Sequence, residues 1–572
     1  MPKQSDDEVP PTSRTSYPAE LDLQCPLCGE AVHFCFTSSK HDYQNFMGRF
    51  REYRNQYCCD NPSCVLYRTY FNPAPLKVLP GKRFSIDIWK WIAREAKIYR
   101  QKIPQIVARL RDEFGIKMSE STVRNYIDEI DVYVAGKIDE KTAAIIKEQG
   151  QILLSFDGQE PDETGPSLWL FVDVISNRVL RIVILEKADH ETLHEQVEQI
   201  LTDYQVSLAG MISDKQGSIV KMHDMYYPEI PHQYCHFHYL QNLWNHIEVK
   251  DGHVHKELAK MVKHLYITST NKNAQKNIEG VGKVGIRDTF KDIEKVLRKL
   301  LKGSSKKFER LRGHESWLKL QKYVDDIETA CKNEDQDQWT VKMMIKTSAT
   351  IRDALDMTSA DHEACVDLNR RFQEIRSLLG SPNLVRQEKI NLLDGIHDQI
   401  WMEFSAIEGI STKDKLRTFL PSYTKSKGQI LLEWVRLYDS YKPGLFAYYE
   451  FPVLERSNAD LERHLGQEKS IIYSRCGKIQ VAPQVRVRGE YILRELYAGR
   501  DEVVEIVNEV SRDYDVEQIK AGLIELEEHV SSETDEWRSN VDGMAAIKRV
   551  LNFGKRKKID GNEKKEDDSD EI

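Results

Sequence analysis

The chain has 572 residues, of which 30% are charged, and its mean hydropathy is -0.56. This length corresponds to about four domains, and the composition is that of a globular protein, which excludes a largely disordered or membrane-embedded chain. No apolar run approaches the roughly 18 residues that cross a bilayer, and the acidic, proline-containing N-terminus is not a signal peptide. We therefore expect no membrane partner, and a location in the cytoplasm or nucleoid of a prokaryote or in the nucleus of a eukaryote.

The net charge of -9 conceals a basic stretch. Residues 51–125 contain 15 Lys and Arg against 7 Asp and Glu, a local charge of +8, so the remainder of the chain carries -17. A basic stretch on an acidic body is typical of proteins that bind a polyanion such as DNA. An ordinary solvated surface is the alternative reading of the same charges.

Two cysteine pairs near the N-terminus have the spacing of metal-binding knuckles. Four thiolates presented from two tight turns suit a tetrahedral Zn²⁺ ion, and clustered pairs in a reducing compartment indicate metal ligands rather than disulfides. The sequence therefore predicts a structural zinc ion held by Cys25, Cys28, Cys59 and Cys64. Cys58 is an alternative to Cys59, and His33 and Cys35 are competing ligands. Short β-type runs predict a small ribbon of strands around the knuckles, at Ala31–Phe36 and Val65–Phe71.

The basic stretch also contains the pattern of three short helices, over residues 84–130. The first, Ile86–Tyr99, has one apolar stripe. The second has Pro104 in its first turn and is broken by Gly115, and the third is capped by Ser119 or Ser121. A helix, a short glycine-containing turn and a capped helix form the helix-turn-helix pattern, although an ordinary three-helix packing unit shares it.

The outward side chains of the third helix are of the types that read base edges and phosphates. Apolar residues would face inward, at Val123, Tyr126, Ile127 and Ile130. The predicted DNA-binding residues are Lys117, Ser121, Thr122, Arg124 and Asn125, with Arg111 and Lys117 flanking the DNA backbone.

Residues 150–240 change to strand-like runs, interrupted by an amphipathic helix at Glu191–Tyr204. Asp157 and Asp214 each follow an apolar run directly, and neighbouring strands would bring the two carboxylates into one crevice. Two such anions repel each other unless a divalent cation lies between them. This arrangement suits catalysis of phosphodiester chemistry with Mg²⁺ or Mn²⁺. The predicted strands are Gln151–Phe156, Leu168–Ile175, Val179–Leu185 and Leu208–Ile212.

The rest of the chain is helical in pattern. Residues 240–445 are nearly free of strand signals, and 500–550 predict two or three further helices. Ser457–Gln467 predicts a helix in which Glu462 is a candidate third acid, with Asp460 and Glu455 as competitors.

These motifs together resemble those of the DDE transposases, whose catalytic core is ribonuclease H-like. The segment Ser-Asn-Ala-Asp-Leu-Glu that ends at Glu462 resembles the family signature T/S-N-N-x-x-E, with Ala459 where a second Asn is usual. Cys235-x-x-His238 resembles the C-x-x-H element of Mutator-like and related transposases, and the long helical block resembles their all-α insertion. The resemblance covers roughly residues 80–500.

The resemblance implies a transposase that binds terminal inverted repeats and catalyses Mg²⁺-dependent DNA cleavage and strand transfer. Asp157, Asp214 and Glu462 match the family's acidic triad, which would hold two Mg²⁺ (or Mn²⁺) ions. Cys235 and His238 are interpreted as site-shaping residues. The partners would be double-stranded DNA, as element ends and target, and further copies of the chain in at least a dimer. A domesticated DNA-binding regulator with an inactive core, or a metal-dependent nuclease without strand transfer, are the alternatives.

The expected fold is a multidomain α/β protein with a mixed-sheet core interrupted by helices. Its predicted segments are a disordered leader (1–20), a zinc-ribbon-like domain (21–80), a helix-turn-helix domain (81–135), the first part of a ribonuclease H-like core (145–245), an all-α insertion (246–448), the last part of the core (449–500), C-terminal helices (501–553) and a disordered charged tail (554–572).

Overall fold

The structure of the chain is a computed structural model. It describes residues 12–15, 23–37, 41–72, 77–159, 167–269, 293, 295–299, 301, 309–335, 338–408, 426–451, 459–476, 482–528 and 530. The predicted charged tail and the end of the predicted C-terminal helices lie outside these residues.

The protein is a multidomain α/β structure, 66% helical, with a mixed sheet. It divides into two compact units: the first comprises Met1–Ala209 and Asp460–Ile572, and the second comprises Gly210–Ala459. None of the helices in the described ranges combines the length and the apolar character needed to span a lipid bilayer.

The N-terminal part of the first unit is a four-stranded sheet built around one long strand. The strands are β1 (Thr12–Thr15), β2 (Val32–Thr37), β3 (His41–Asn45) and β4 (Gly48–Cys59). β4 pairs with β1 in parallel and with β2 and β3 in antiparallel orientation. β1 lies within the leader that the sequence predicts to be disordered, so that prediction is wrong for these four residues, which pair with the centre of β4.

The predicted strand at Val65–Phe71 is also wrong. This segment forms successive turns, in which Tyr67 N donates to Cys64 O at 2.9 Å and Thr69 N donates to Leu66 O at 3.2 Å. Two of its residues pair with β4, each in an isolated bridge: Tyr67 with Cys59 and Phe71 with Tyr57. The apolar composition of this segment favours a strand, but the turns that follow the second cysteine pair determine its backbone conformation.

Three helices follow, α1 (Ile86–Ala93), α2 (Ile103–Phe114) and α3 (Glu120–Gln149), with a π-helical turn after α1 at Arg94–Ile98. α2 ends because Gly115 adopts a left-handed conformation with φ of 65°. There Gly115 N donates to Arg111 O at 3.0 Å and Ile116 N donates to Leu110 O at 2.9 Å, which satisfies the last carbonyl groups of the helix. Ser119 caps α3, since its Oγ accepts from Thr122 N at 3.1 Å.

Helix α3 is much longer than the sequence pattern indicates. It continues through the predicted domain end at residue 135 to Gln149. The middle of the helix is buried on several sides, and even Asp131 is buried, where it pairs with Lys97 and Arg488. A helix surrounded in this way lacks the one-sided apolar period by which a surface helix is recognised.

The strand-rich core begins directly after α3. Its elements are β5 (Gln151–Gln159), β6 (Ser167–Asp173), β7 (Arg178–Leu185), α4 (His190–Tyr204), β8 (Ser207–Ser213) and β9 (His232–Tyr234). β5, β6 and β7 form an antiparallel meander, whereas β8 and β9 are parallel, and the strand order is β7-β6-β5-β8-β9. The boundary between the two units falls within β8.

The second unit is mainly helical. Its helices are α5 (Gly217–Tyr226), α6 (His236–Ser269), α7 (Arg312–Cys331), α8 (Trp339–Gly380), α9 (Arg386–Glu408) and α10 (Lys427–Tyr441). Trp244, Phe372 and Trp434 are fully buried members of its main apolar cluster. α6 begins at His236, so it crosses the predicted start of the helical insertion at residue 246.

The last helices return to the first unit. They are α11 (Ala459–Cys476), α12 (Ala482–Asp513) and a helix at 516–528, α13. Leu461 and Leu465 of α11 pack in one apolar cluster with Leu168 and Leu170 of β6. α12 crosses the predicted boundary at residue 500, with a kink at Gly499 where φ is 82°.

Gly158 occupies a position on β5 where a side chain does not fit. A Cβ atom at this residue would lie 2.6 Å from Cε2 of Trp169, which is the neighbour of Gly158 on β6. The indole therefore packs directly on the strand backbone, and its Nε1 donates to Ser167 Oγ at 2.8 Å.

We expect Gly158→Ala to lower the free energy of unfolding by about 1–3 kcal/mol, because the added methyl group must displace the Trp169 ring. Gly466→Ala is the matched control: this exposed helical position has open space for a Cβ. There the same substitution should stabilise α11 by about 0.5–1 kcal/mol. Urea unfolding followed by circular dichroism measures both, and equal stability of Gly158→Ala and the wild type would contradict the packing described.

Candidate metal centre and acidic residues

The four predicted cysteines converge on one point of the N-terminal sheet. Their Sγ atoms all lie within 4.8 Å of one another, with Cys25 and Cys64 3.7 Å apart and Cys28 and Cys59 3.5 Å apart. Zn–S bonds of about 2.3 Å in a tetrahedron place the sulfurs about 3.8 Å apart. The cluster can therefore hold a zinc ion with little rearrangement.

Tight turns position both pairs. In the first knuckle Gly29, with φ of 75°, reverses the chain, and Cys25 N donates to Glu30 O at 2.7 Å. In the second, the Asn61 side chain accepts from Ser63 N at 2.9 Å and its carbonyl accepts from Cys64 N at 3.0 Å. These are the glycine and asparagine roles that metal knuckles require.

The choice between Cys58 and Cys59 follows from strand geometry. Consecutive residues of a strand point to opposite faces, so only one of the two can join the four-sulfur cluster. That residue is Cys59, whereas Cys58 groups with His33 and Cys35. The sequence alternative is settled in favour of Cys59.

The thiols of the cluster differ in acidity. Burial alone would raise the pKa of Cys25, but hydrogen bonds from the backbone of Leu27 and Cys28 lower it to about 7. Burial raises the pKa of Cys59 to about 12. The pKa of Cys64 is also raised, because burial and the neighbouring thiols outweigh a backbone hydrogen bond from Leu66. Without a metal, this part of the cluster is protonated at neutral pH.

Zinc affinity should therefore fall as the pH is lowered. Cys59 and Cys64 must each release a proton to become ligands, so between pH 8 and pH 6 we expect the association constant to drop about tenfold per pH unit for each of them. Competition with a chromophoric chelator at several pH values measures the slope. Cys331→Ser removes a thiol of the second unit and should leave this slope unchanged. A zinc affinity that does not depend on pH would contradict the assignment of Cys59 and Cys64 as ligands.

Asp157 lies inside a strand and not at its end as predicted. β5 continues to Gln159 because its pairing with β6 continues, with Asp157 opposite Leu170 and Gln159 opposite Leu168. The half-buried Asp157 carboxylate accepts from Gly158 N at 2.8 Å. Residues directly opposite each other in an antiparallel pair project from the same face of the sheet, so Asp157 shares a face with Leu170.

The helix that carries Glu462 covers that same face. Leu170 packs with Leu461 and Leu465 of α11, and Glu462, half-buried, follows Leu461 directly. Within the first unit, the sequence-predicted first and third acids therefore belong to a sheet face and to the helix that lies over it. The competing acids Asp460 and Glu455 have side chains outside the described residues.

Asp214 belongs to the second unit, immediately after β8. Its Oδ1 accepts from Gln216 N at 3.2 Å. Burial raises the pKa of Asp214, an effect that the nearby His238 opposes, and burial lowers the pKa of His238, which Asp214 opposes in turn. Cys235 is fully buried and its N donates to Ser213 O at 2.8 Å. The Cys-x-x-His segment is thus attached to the strand end that carries Asp214.

Most of the predicted DNA-binding residues are at the surface. Lys117, Ser121, Arg124 and Asn125 are exposed, whereas Thr122 is half-buried and its hydroxyl lies 2.8 Å from Ser119 Oγ. Within the described part of the chain, neither Lys117 nor Arg124 forms an ion pair. The predicted inward residues are all buried: Val123, Tyr126, Ile127 and Ile130.

One acid on the helix that carries Glu462 belongs to no sequence motif. Glu468, on α11, is completely buried, and burial raises its pKa to about 8. Its Oε2 accepts from the amide of Gln159 at 3.2 Å when that amide is oriented so that its oxygen accepts from Lys469 Nζ. Only the packing of α11 against the sheet distinguishes Glu468 from the many other helical glutamates.

The chain matches no protein-family model, and no curated protein is significantly similar to it. Its function must therefore be inferred from its residues and their surroundings.

Proposed function

We propose that the protein is a metal-dependent DNA transposase, in which Asp157, Asp214 and Glu462 form the acidic triad of a ribonuclease H-like core. The observation that carries the proposal is that α11, which bears Glu462, packs on the sheet face from which Asp157 projects. The acids come from distant parts of the chain, so an arrangement of this kind is not a by-product of local sequence.

The surroundings of Asp214, the second acid of the proposed triad, favour a cation there. Its carboxylate is half-buried and its pKa is raised by burial, and a hard divalent cation is the partner that stabilises a desolvated carboxylate. Asp157, Asp214 and Glu462 would hold Mg²⁺, which when bound activates the attacking oxygen and stabilises the leaving oxygen of a phosphodiester. The charged form of His238, next to Asp214, would favour the ionised carboxylate.

DNA binding would use the α2–α3 pair as a helix-turn-helix. Support comes from the Gly115 turn, the Ser119 cap and the exposed side chains at the start of α3. Arg124 and Asn125 would reach base edges, and Lys117 in the preceding turn would contact a phosphate. The N-terminal sheet with its four-cysteine cluster would bind adjacent DNA. Pairing the two ends of a mobile element would require at least a dimer.

Lys117→Ala should weaken binding to all DNA sequences similarly and reduce the slope of log K against log salt by about 1. Arg124→Ala should cost about 1–3 kcal/mol on the preferred sequence and relax the preference. Fluorescence anisotropy with duplexes selected from a random pool measures both. Lys147→Ala is the control, because Lys147 is exposed on the same helix about 35 Å beyond Arg124. An equal loss in this variant would refute the helix-turn-helix assignment.

Asp157→Asn, Asp214→Asn and Glu462→Gln should each reduce Mg²⁺-dependent DNA cleavage by at least about 100-fold, since each removes one charge from the group that holds the metal. The substrate is a plasmid that carries the coding sequence with its flanking DNA, analysed for nicks and for joined products. Asp203→Asn, at an exposed position of α4, is the control and should cleave normally.

The outcomes distinguish the alternatives. Full activity of Asp157→Asn would refute the proposed triad. Cleavage without joined products would favour a nuclease, and sequence-specific binding without cleavage by the wild type would favour a DNA-binding regulator.

A further inference from the structure

A second group of metal-binding side chains lies on the N-terminal sheet. Ligand atoms of His33, Cys35 and Cys58 all lie within 4.8 Å of one another. We propose that these three residues form a second zinc site, separate from the four-cysteine cluster, in which Asp60 orients the His33 ring. This inference does not depend on the proposed transposase activity.

Strand geometry separates the two sites. Cys58 and Cys59 are consecutive on β4 and therefore project from opposite faces, Cys59 into the four-cysteine cluster and Cys58 towards β2. His33 lies directly opposite Cys58 in the β2–β4 pairing. One strand thus supplies a ligand to each site.

An irregularity in β2 supplies the third ligand. The pairing register shifts between Phe34 and Phe36, which makes Cys35 an extra residue without a partner in the ladder. An extra residue of this kind changes the direction in which its side chain projects. The Cys35 Sγ lies 2.7 Å from the Cys58 Sγ. In a regular ladder Cys35 would lie opposite Gln56, diagonal to Cys58 and two residues from it along β4.

The histidine has the support that metal-bound histidines usually have. His33 Nδ1 lies 2.6 Å from Asp60 Oδ1. A carboxylate that accepts from one ring nitrogen fixes the tautomer and leaves the other nitrogen, here Nε2, for the ion. Asp60 follows Cys59 directly, so the same turn that presents a ligand to the first site presents this carboxylate to the second.

Zinc explains the cluster better than a disulfide does. The distance between the Cys35 and Cys58 sulfurs is longer than the roughly 2.05 Å of a disulfide and shorter than the spacing around zinc, so side-chain rotation is needed in either case. A disulfide would use only the two cysteines and would leave the position of His33 and its contact with Asp60 unexplained. Two thiolates and a neutral imidazole balance the charge of Zn²⁺.

The environment suits a site with one open position. Cys58 is buried, whereas the His33 side chain is 58% exposed. Three protein ligands leave the fourth coordination position of a tetrahedral ion to water or to an external ligand. We therefore assign an exchangeable ion to this site, whereas the four-cysteine cluster would fill all four positions of its ion.

The test is the zinc content of the full-length protein, purified with zinc and measured by mass spectrometry of the metal. We expect about two ions per chain in the wild type, and about one in Cys35→Ser, in Cys58→Ser and in Cys64→Ser. Cys331→Ser, a thiol outside both groups, should keep two. His33→Ala changes an exposed side chain, so the variant should still fold. It should bind the second zinc ion more weakly, so that a mild chelator removes this ion.

Asp60→Asn should bind the second ion about 10–100-fold more weakly. One zinc ion per wild-type chain would overturn the proposal. Non-reducing peptide mapping would then show whether Cys35 is joined to Cys58 in a disulfide or both thiols are open to alkylation, and either result contradicts a second zinc site. Equal zinc content in the wild type and in Cys58→Ser would overturn it as well.

Discussion

Burial of one face of the β5–β7 sheet beneath helices from the far end of the chain is the interaction on which the first unit depends. Leu168 and Leu170 of β6 pack with Leu461 and Leu465 of α11, and a fully buried leucine contributes about 1.5–3 kcal/mol. This face of the sheet is covered only when residues beyond the second unit have returned to it. Contacts so distant in sequence form late and slowly, and they are also what aligns Glu462 with the face of Asp157.

α12 connects this sheet to the helices of the basic stretch. Before the Gly499 kink, Leu493 packs with the sheet cluster, and after it Val507 packs with the α1–α3 cluster. Buried charges fix the same junction, where Lys97 pairs with Asp131 of α3 and with Glu495 of α12. Such a pair stabilises little in net terms, because desolvation offsets attraction, but removing one partner is costly. The start of α3 is therefore held on the same framework as Asp157.

Local chemistry was predictable from the sequence, and long-range pairing was not. The strands β5 to β8 and the helix α4 agree with the predicted runs to within a few residues, because continuous apolar runs and helical amphipathicity are local features of a sequence. The turn at Gly115 was predicted for the same reason. β4 was missed because its residues are largely polar. The choice of Cys59 over Cys58 required knowing that these residues form a strand at all.

The local charge of +8 overstates the positive charge that the basic stretch offers to a polyanion. Arg109 pairs with Glu95 and Glu113, and Lys97 pairs with buried acids, so these cations stabilise the fold and are not available to a polyanion. Lys117 and Arg124, in contrast, are exposed. If the basic stretch binds DNA, the exposed cations that form no ion pair, Lys117 and Arg124 among them, set the affinity and its salt dependence. Composition identifies the region, but the ion pairs decide which of its charges face solvent.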